Sequence, residues 1–218
     1  RAVLLIVVVG LLALLTACGD GGGSAEEVTF GIPSPLATEP GEHNINLGIT
    51  CYADTLGSEV ITLDANLDVN KQITDFDNLL AQGANVLPFL PLDPNAFEAP
   101  FERAADVGAV VVELYNPDSA APGVVYEDSR AAGEDAVQLV AEQFPDGAKA
   151  IVIGGPPIPA VLERIGGFVD NAEAHNIEIL EQADNLQDNV EDARVLAEDL
   201  LTKHPDAQVV FGFNDNSA

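Results

Sequence analysis

Arg164 is the residue best equipped for recognition chemistry. It is one of eight basic residues and sits inside a helically spaced apolar stripe of Val161, Leu162, Ile165, Phe168 and Val169. A guanidinium offers five donors in a fixed fork, matched to vicinal hydroxyls or to a carboxylate. A structural salt bridge to one of many acids is the plainer alternative. Asn214 follows the apolar run Val209–Phe213; its amide can donate to and accept from hydroxyls, or simply end the strand in a turn. Glu113, Tyr115 and Asn116 follow another apolar run, and Ser34 and Asp93 stand in comparable places. Tyr115 offers a stacking face.

Catalysis has no comparable support. There is no nucleophile elbow, no Cys-x-x-Cys and no metal-binding His pair. His43, His175 and His204 are far apart in sequence. Gly154-Gly155 precedes a helical pattern, but Pro156, Pro157 and Pro159 remove the backbone donors that a phosphate cradle needs. The acidic run Asp184–Asp192 lacks the spacing of a calcium loop. The expectation is a binding protein, with no enzymatic activity, metal or cofactor.

The elements that must position these residues are legible from periodicity. Short apolar runs (Val28–Ile32, Val60–Leu63, Val86–Leu90, Ala109–Leu114, Val124–Tyr126, Ala150–Ile153, Ile177–Leu180 and Val209–Phe213) alternate with amphipathic stretches. That alternation predicts an α/β fold with parallel sheets covered on both faces. A break rich in Pro, Asn and Gly over residues 115–123 divides the rhythm into two blocks, so two doubly wound lobes are expected. The expected boundaries are 28–117 for the first lobe and 118–218 for the second. Ligands of such sheets bind beyond the carboxyl ends of the strands, and two lobes can face each other across a cleft there. Pro88 is awkward inside a strand and predicts a bulge or an early end. Cys51, within a helical stretch, is expected to be a small buried hydrophobe.

The chain has 218 residues, 47% apolar, with 36 acids against eight Lys and Arg, for a formal charge of −28. Such a field repels nucleic acid and anionic membrane surfaces, so nucleic acid is not an expected partner, and any membrane attachment comes through a lipid anchor. Residues 2–15 form an apolar run too short for the ~20 residues of a membrane span. With Arg1 before it, the run reads as a signal peptide over residues 1–17. Leu15-Thr16-Ala17-Cys18 resembles the lipobox of bacterial lipoproteins, which makes Cys18 the lipid attachment point. Residues 18–27, with Gly21-Gly22-Gly23-Ser24, read as a flexible tether. The start at Arg and the stop after a strand suggest a fragment whose second lobe is incomplete.

Taken together, several stretches resemble the bacterial solute-binding proteins of ribose-binding type, the type I periplasmic binding proteins. The most specific are Leu162-Glu163-Arg164-Ile165-Gly166-Gly167-Phe168 and His204-Pro205-Asp206 followed by Phe213-Asn214-Asp215. Leu63-Asp64-Ala65-Asn66, Pro91-Leu92-Asp93-Pro94-Asn95-Ala96 and Glu127-Asp128-Ser129 add to these. The resemblance implies two lobes joined by a hinge, with the C-terminal part missing. It also implies a monomeric receptor that closes on a small polar ligand, a sugar first of all, and presents it to an ABC permease. Such a receptor sits in the cell envelope, on the extracytoplasmic face of a bacterial membrane. Arg164 and Asn214 match positions that hydrogen-bond sugar hydroxyls.

The departures bear on the ligand. Where the family carries an Asn-Pro-aromatic segment, this chain has Ser34-Pro35-Leu36-Ala37-Thr38-Glu39-Pro40. Leu90 stands where a polar residue is common. Glu113 or Asn116 is the candidate to replace the family's Asp, and Tyr115 the candidate stacking face. Glu39, Asp93 and Glu113 all fall near strand ends, so a cation-accepting cleft stays open beside the carbohydrate one. A sensory receptor of the same fold, signalling to a kinase or chemoreceptor, is the alternative function.

Overall fold

The computed structural model describes residues 27–218. The signal peptide, Cys18 and most of the tether expected from the sequence lie outside the described residues. None of the described helices is long and apolar enough to cross a membrane.

The first block winds as β1 (Thr29–Ser34), α1 (Pro40–Leu56), β2 (Glu59–Asp64), α2 (Val69–Ala81) and β3 (Val86–Phe89). A 3-10 turn (Pro94–Phe97), α3 (Glu98–Asp106), β4 (Val110–Leu114) and β5 (Gly123–Val125) follow. Its five strands are parallel in the order β2-β1-β3-β4-β5. The second block contains α4 (Ser129–Gln143), β6 (Ala148–Gly154), α5 (Pro159–Ala172), β7 (Ile177–Asp184), α6 (Val190–Lys203) and β8 (Val209–Gly212). Its three strands are parallel in the order β7-β6-β8. This is the two-lobed α/β architecture that the alternation predicts.

One strand changes sheets relative to that expectation. The run at Val124–Tyr126 was expected to open the second lobe after residue 117, but it forms β5 and pairs with β4. The Tyr115 N–H also donates to the Val125 carbonyl at 2.8 Å. The passage between sheets therefore follows Val125. A three-residue apolar run carries no mark of which sheet it will join; the β4 edge takes it because the turn at 115–122 brings it back alongside.

Prolines shape the centre of the first sheet. Pro33 and Pro88 lie within β1 and β3 and have no N–H for the ladder. The β1–β3 pairing is confined to Phe30 and Val86, while Pro88 keeps register with Val112 of β4. The fully buried Gln72 of α2 fills the gap. Its amide donates to the carbonyls of Pro33 (2.9 Å) and Leu90 (2.8 Å), and its carbonyl accepts from Leu92 N–H (2.8 Å). One side chain thus ties together the two strand ends that border the cleft.

Packing is two-sided in the second lobe because β6 alternates its side chains. Ala150 and Val152 face Val137 of α4 and Phe168 of α5, whereas Ile151 and Ile153 face Ala193 and Leu200 of α6. The first lobe gathers Phe76, Phe89, Phe97 and Phe101, with ring centroids from 4.9 to 6.3 Å apart, around Leu79, Leu87 and Val111. Four of the six described α-helices are capped at their start by an acid or Asn side chain. Asp68, Asp128 and Asn189 accept from the N–H groups of Lys71, Ala131 and Asp192, satisfying donors the helix leaves free.

Ile45, Ile49, Tyr52/Ala53 and Leu56 recur at helical spacing and predict a buried stripe, from which α1 departs. Tyr52 and Leu56 are exposed, and the buried positions are Glu42, Asn46 and Ala53. Cys51, expected inside, is an exposed free thiol. At 100° per residue it points about 200° away from Ala53, the helix's buried anchor.

Candidate functional site

The carboxyl ends of both sheets border one cavity of about 330 Å³. Pro35, Leu36, Glu39, Glu42, Ile45, Leu67, Leu90 and Tyr115 line it from the first lobe. Pro156, Ile158, Val161, Arg164, Asp188, Phe213 and Asn214 line it from the second, with Glu127 on the passage between them. The volume falls at the small end of the range for ligand pockets. Beside the cavity the lobes touch through apolar contacts of Ile158 with Ala65 and Leu92.

Helix α5 starts at Pro159, after a four-residue loop from the end of β6, and projects Arg164 into the cavity from its second turn. Nη1 donates to the Phe213 carbonyl at 3.1 Å, and Nη2 pairs with the carboxylate of Glu127. The Nε atom is buried without a hydrogen-bond partner. The head group is therefore held on two sides, with three of its five N–H donors, Nε among them, uncommitted within the described residues. Asn214 closes β8. Its amide donates to Asp188 Oδ1 at 2.8 Å and its carbonyl accepts from Ser217 N–H at 3.2 Å.

Tyr115 follows β4 with φ of +63°, a region costly for a bulky side chain. The backbone bond to Val125 holds it there and turns the ring to the cavity. Burial pushes its hydroxyl pKa up, Glu42 adds to that, and Arg164 opposes it.

The other sequence candidates take supporting places. Glu113 is buried, accepting from Asn116 Nδ2 at 2.7 Å and from the Ser119 hydroxyl, so Glu113 and Asn116 brace the loop after β4. Neither lines the cavity. Asp93 caps the 3-10 turn by accepting from Asn95 N–H at 3.0 Å. Ser34 is fully buried beneath the cavity, where its hydroxyl donates to Glu42 Oε1 at 3.0 Å and accepts from Asn46 Nδ2 at 3.2 Å.

The structure brings Glu39 to the cavity and adds two further carboxylates, Glu42 and Asp188. Glu39 caps α1, accepting from Glu42 N–H at 2.6 Å. Glu42 is 6% exposed, and burial, opposed by Ser34 and reinforced by Glu39, raises its pKa from 4.5 to about 7. Asp188, in the left-handed region at φ +46°, has its pKa raised mainly by burial. A single amide, Asn216 Nδ2, reaches Glu39 Oε1 at 3.1 Å and Asp188 Oδ1 at 3.2 Å, linking the lobes. Sequence reasoning noticed Glu39 but missed Glu42 and Asp188. The available signal was Glu39-Pro40, a cap followed by a proline at the first helical position, which turns the third residue inward.

A family profile described as periplasmic binding protein domain matches residues 30–218. The chain belongs to the periplasmic binding protein family. The ribose import binding protein of Bacillus subtilis is 32% identical over 100% of this chain and 74% of its own length. A xylitol-binding protein of Mycolicibacterium smegmatis is 30% identical over 65% of this chain and 42% of its own. Among solved structures, an ABC transporter solute-binding protein from Mycobacterium smegmatis with bound glycerol superposes with a TM-score of 0.77. It shares 29% identity over 88% of this chain and 68% of that one. The family is made of non-enzymatic substrate-binding proteins. The type I two-lobed fold is the one they share.

Proposed function

We propose that this chain is an extracytoplasmic solute-binding protein that captures a small sugar or polyol between its lobes and delivers it to an ABC permease. The observation that carries this reading is the cavity between the two sheets' carboxyl ends, with Arg164 and Asn214 on one wall and Tyr115 on the other. The relatives bear names of ribose- and xylitol-binding proteins, which supports the ligand class. Closure desolvates the ligand and fixes the second lobe against the first, so the permease meets a surface that only the loaded state presents. The protein acts as a monomer, tethered at the membrane through lipidated Cys18.

Isothermal titration and thermal shift against pentoses, hexoses and polyols test the reading. A ligand at a hundred times its Kd adds roughly 2.7 kcal/mol of stability, several degrees in Tm. Absence of any shift across the panel would sink it. Arg164→Ala is expected to weaken binding of the identified ligand by roughly 2 kcal/mol, about thirtyfold, because a charge-assisted donor is lost. An unchanged Kd would remove Arg164 from the site. Cys18→Ser is expected to move the protein from the membrane fraction to the soluble one; continued pelleting would refute the lipid anchor.

A further inference from the structure

The polar groups around the cavity are unevenly matched. Four carboxylates, Glu39, Glu42, Glu127 and Asp188, face one cation, Arg164. Glu127 is already paired with that Arg. Among the described residues, no Lys, Arg or His comes within ion-pair distance of Glu39, Glu42 or Asp188. Glu42 has nine-tenths of its surface buried, yet only hydroxyl and amide neighbours. Beside it, Asn46 Oδ1 is a buried acceptor without any donor. A buried carboxylate without a counter-charge is costly, and Glu42 is relieved by a group that only donates.

The protein's donors at the cavity are partly engaged. Asn214 directs one N–H to Asp188, and Arg164 directs one N–H to the Phe213 carbonyl and pairs with Glu127. A neutral polyol reaches a carboxylate through its hydroxyl donors but brings no charge to offset it. An ammonium group brings three donors and no acceptor. Among the described residues no group of three acidic, His or Cys side chains could hold a metal ion.

We infer, building on the solute-binding reading above, that the cleft selects a carbohydrate or polyol carrying an organic ammonium group, received by Glu39, Glu42 and Asp188. Glu39 belongs to the first lobe and Asp188 to the second, and one Asn216 amide serves both. Their mutual repulsion works against closure, and a cation between them reverses its sign. Charge recognition and closure are thereby one event. The field of the whole chain, at −28, also steers cations toward it.

The test is titration calorimetry on the intact protein with matched pairs: D-glucosamine against D-glucose, D-galactosamine against D-galactose, and 1-amino-1-deoxysorbitol against sorbitol. At least one amine is expected to bind tenfold or more tighter than its neutral partner at low ionic strength, with the advantage shrinking as salt is added. Glu39→Gln and Asp188→Asn should each bring the ratio of the amine's affinity to its neutral partner's close to one. A merely structural role would weaken both partners alike and overturn the assignment. Neutral sugars binding as well as or better than every amine would overturn the ammonium proposal and leave the solute-binding reading standing. Binding of neither kind would overturn both.

Discussion

Gly133→Ala is expected to destabilise the protein by about 4 kcal/mol, lowering Tm by roughly 8–16 °C. Gly133 lies where α4 crosses α5, and a Cβ there would stand 2.8 Å from Phe168 N and press on the Arg164 carbonyl. The reciprocal position is Gly167, whose Cβ would meet Glu134 N at 3.1 Å and the Arg130 carbonyl. These are backbone atoms on rigid helices, so no rotamer change relieves the clash. The helices must separate, which opens the cluster of Val137, Ile165 and Phe168. Because α5 also carries Arg164, any Gly133→Ala protein that remains folded should bind ligand more weakly. Gly48→Ala is the control: Gly48 sits in α1 with open space around it, and alanine there should add about 0.5–1 kcal/mol. A thermal melt of both variants decides the matter, and a Gly133→Ala protein as stable as the parent would refute backbone-to-backbone packing of α4 on α5.

Gly166-Gly167 was legible in the sequence only as neighbours of Arg164. Their structural role depends on Gly133 more than thirty residues away, and no local pattern couples them. Helix α6, by contrast, is found where periodicity places it, Val190–Lys203, because an acid-rich start, an Asn cap and a 3.6-residue stripe all agree. The strand ends were legible for the same reason, and with them the location of the cleft. What escaped was anything set by a partner outside the local pattern: β5 pairing across to β4, Gln72 replacing hydrogen bonds that two prolines cannot make, Cys51 on the outer face of α1. Arg164, Asn214 and Tyr115 come together around the cavity, whereas Glu113, Asn116 and Asp93 turn to their own loops. All six stand near strand ends, and only the loop conformation separates them. The departure from the family's aromatic segment after β1 was visible, but not what it makes room for. In its place Pro40 starts α1 directly after Glu39, and the first turn delivers Glu42 into the space beneath the cavity.

That placement makes Glu42 the group through which pH should act most strongly on stability. Ser34 and Asn46 are its polar neighbours, and Glu39 and Asp64 its charged ones, so every nearby charge has the same sign. Folding raises its pKa from 4.5 to about 7, so the folded protein retains a proton that the unfolded chain gives up. The stability tied to that proton is full below pH 4.5 and is lost as pH rises through 7. The shift corresponds to about 3 kcal/mol. Glu42→Gln keeps the shape and removes the titration. Relative to the parent, the variant is expected to gain about 3 kcal/mol between pH 4 and pH 8, roughly 6–12 °C in Tm. Melting curves of both proteins across that range, without ligand, measure it. Parallel Tm–pH curves would mean that Glu42 ionises as freely as an exposed acid, which would also withdraw the uncompensated carboxylate from the floor of the cleft. Divergent curves would establish a buried acid that a ligand's positive charge can hold ionised, and the proton released on binding would then be countable by calorimetry in buffers of different ionisation enthalpy.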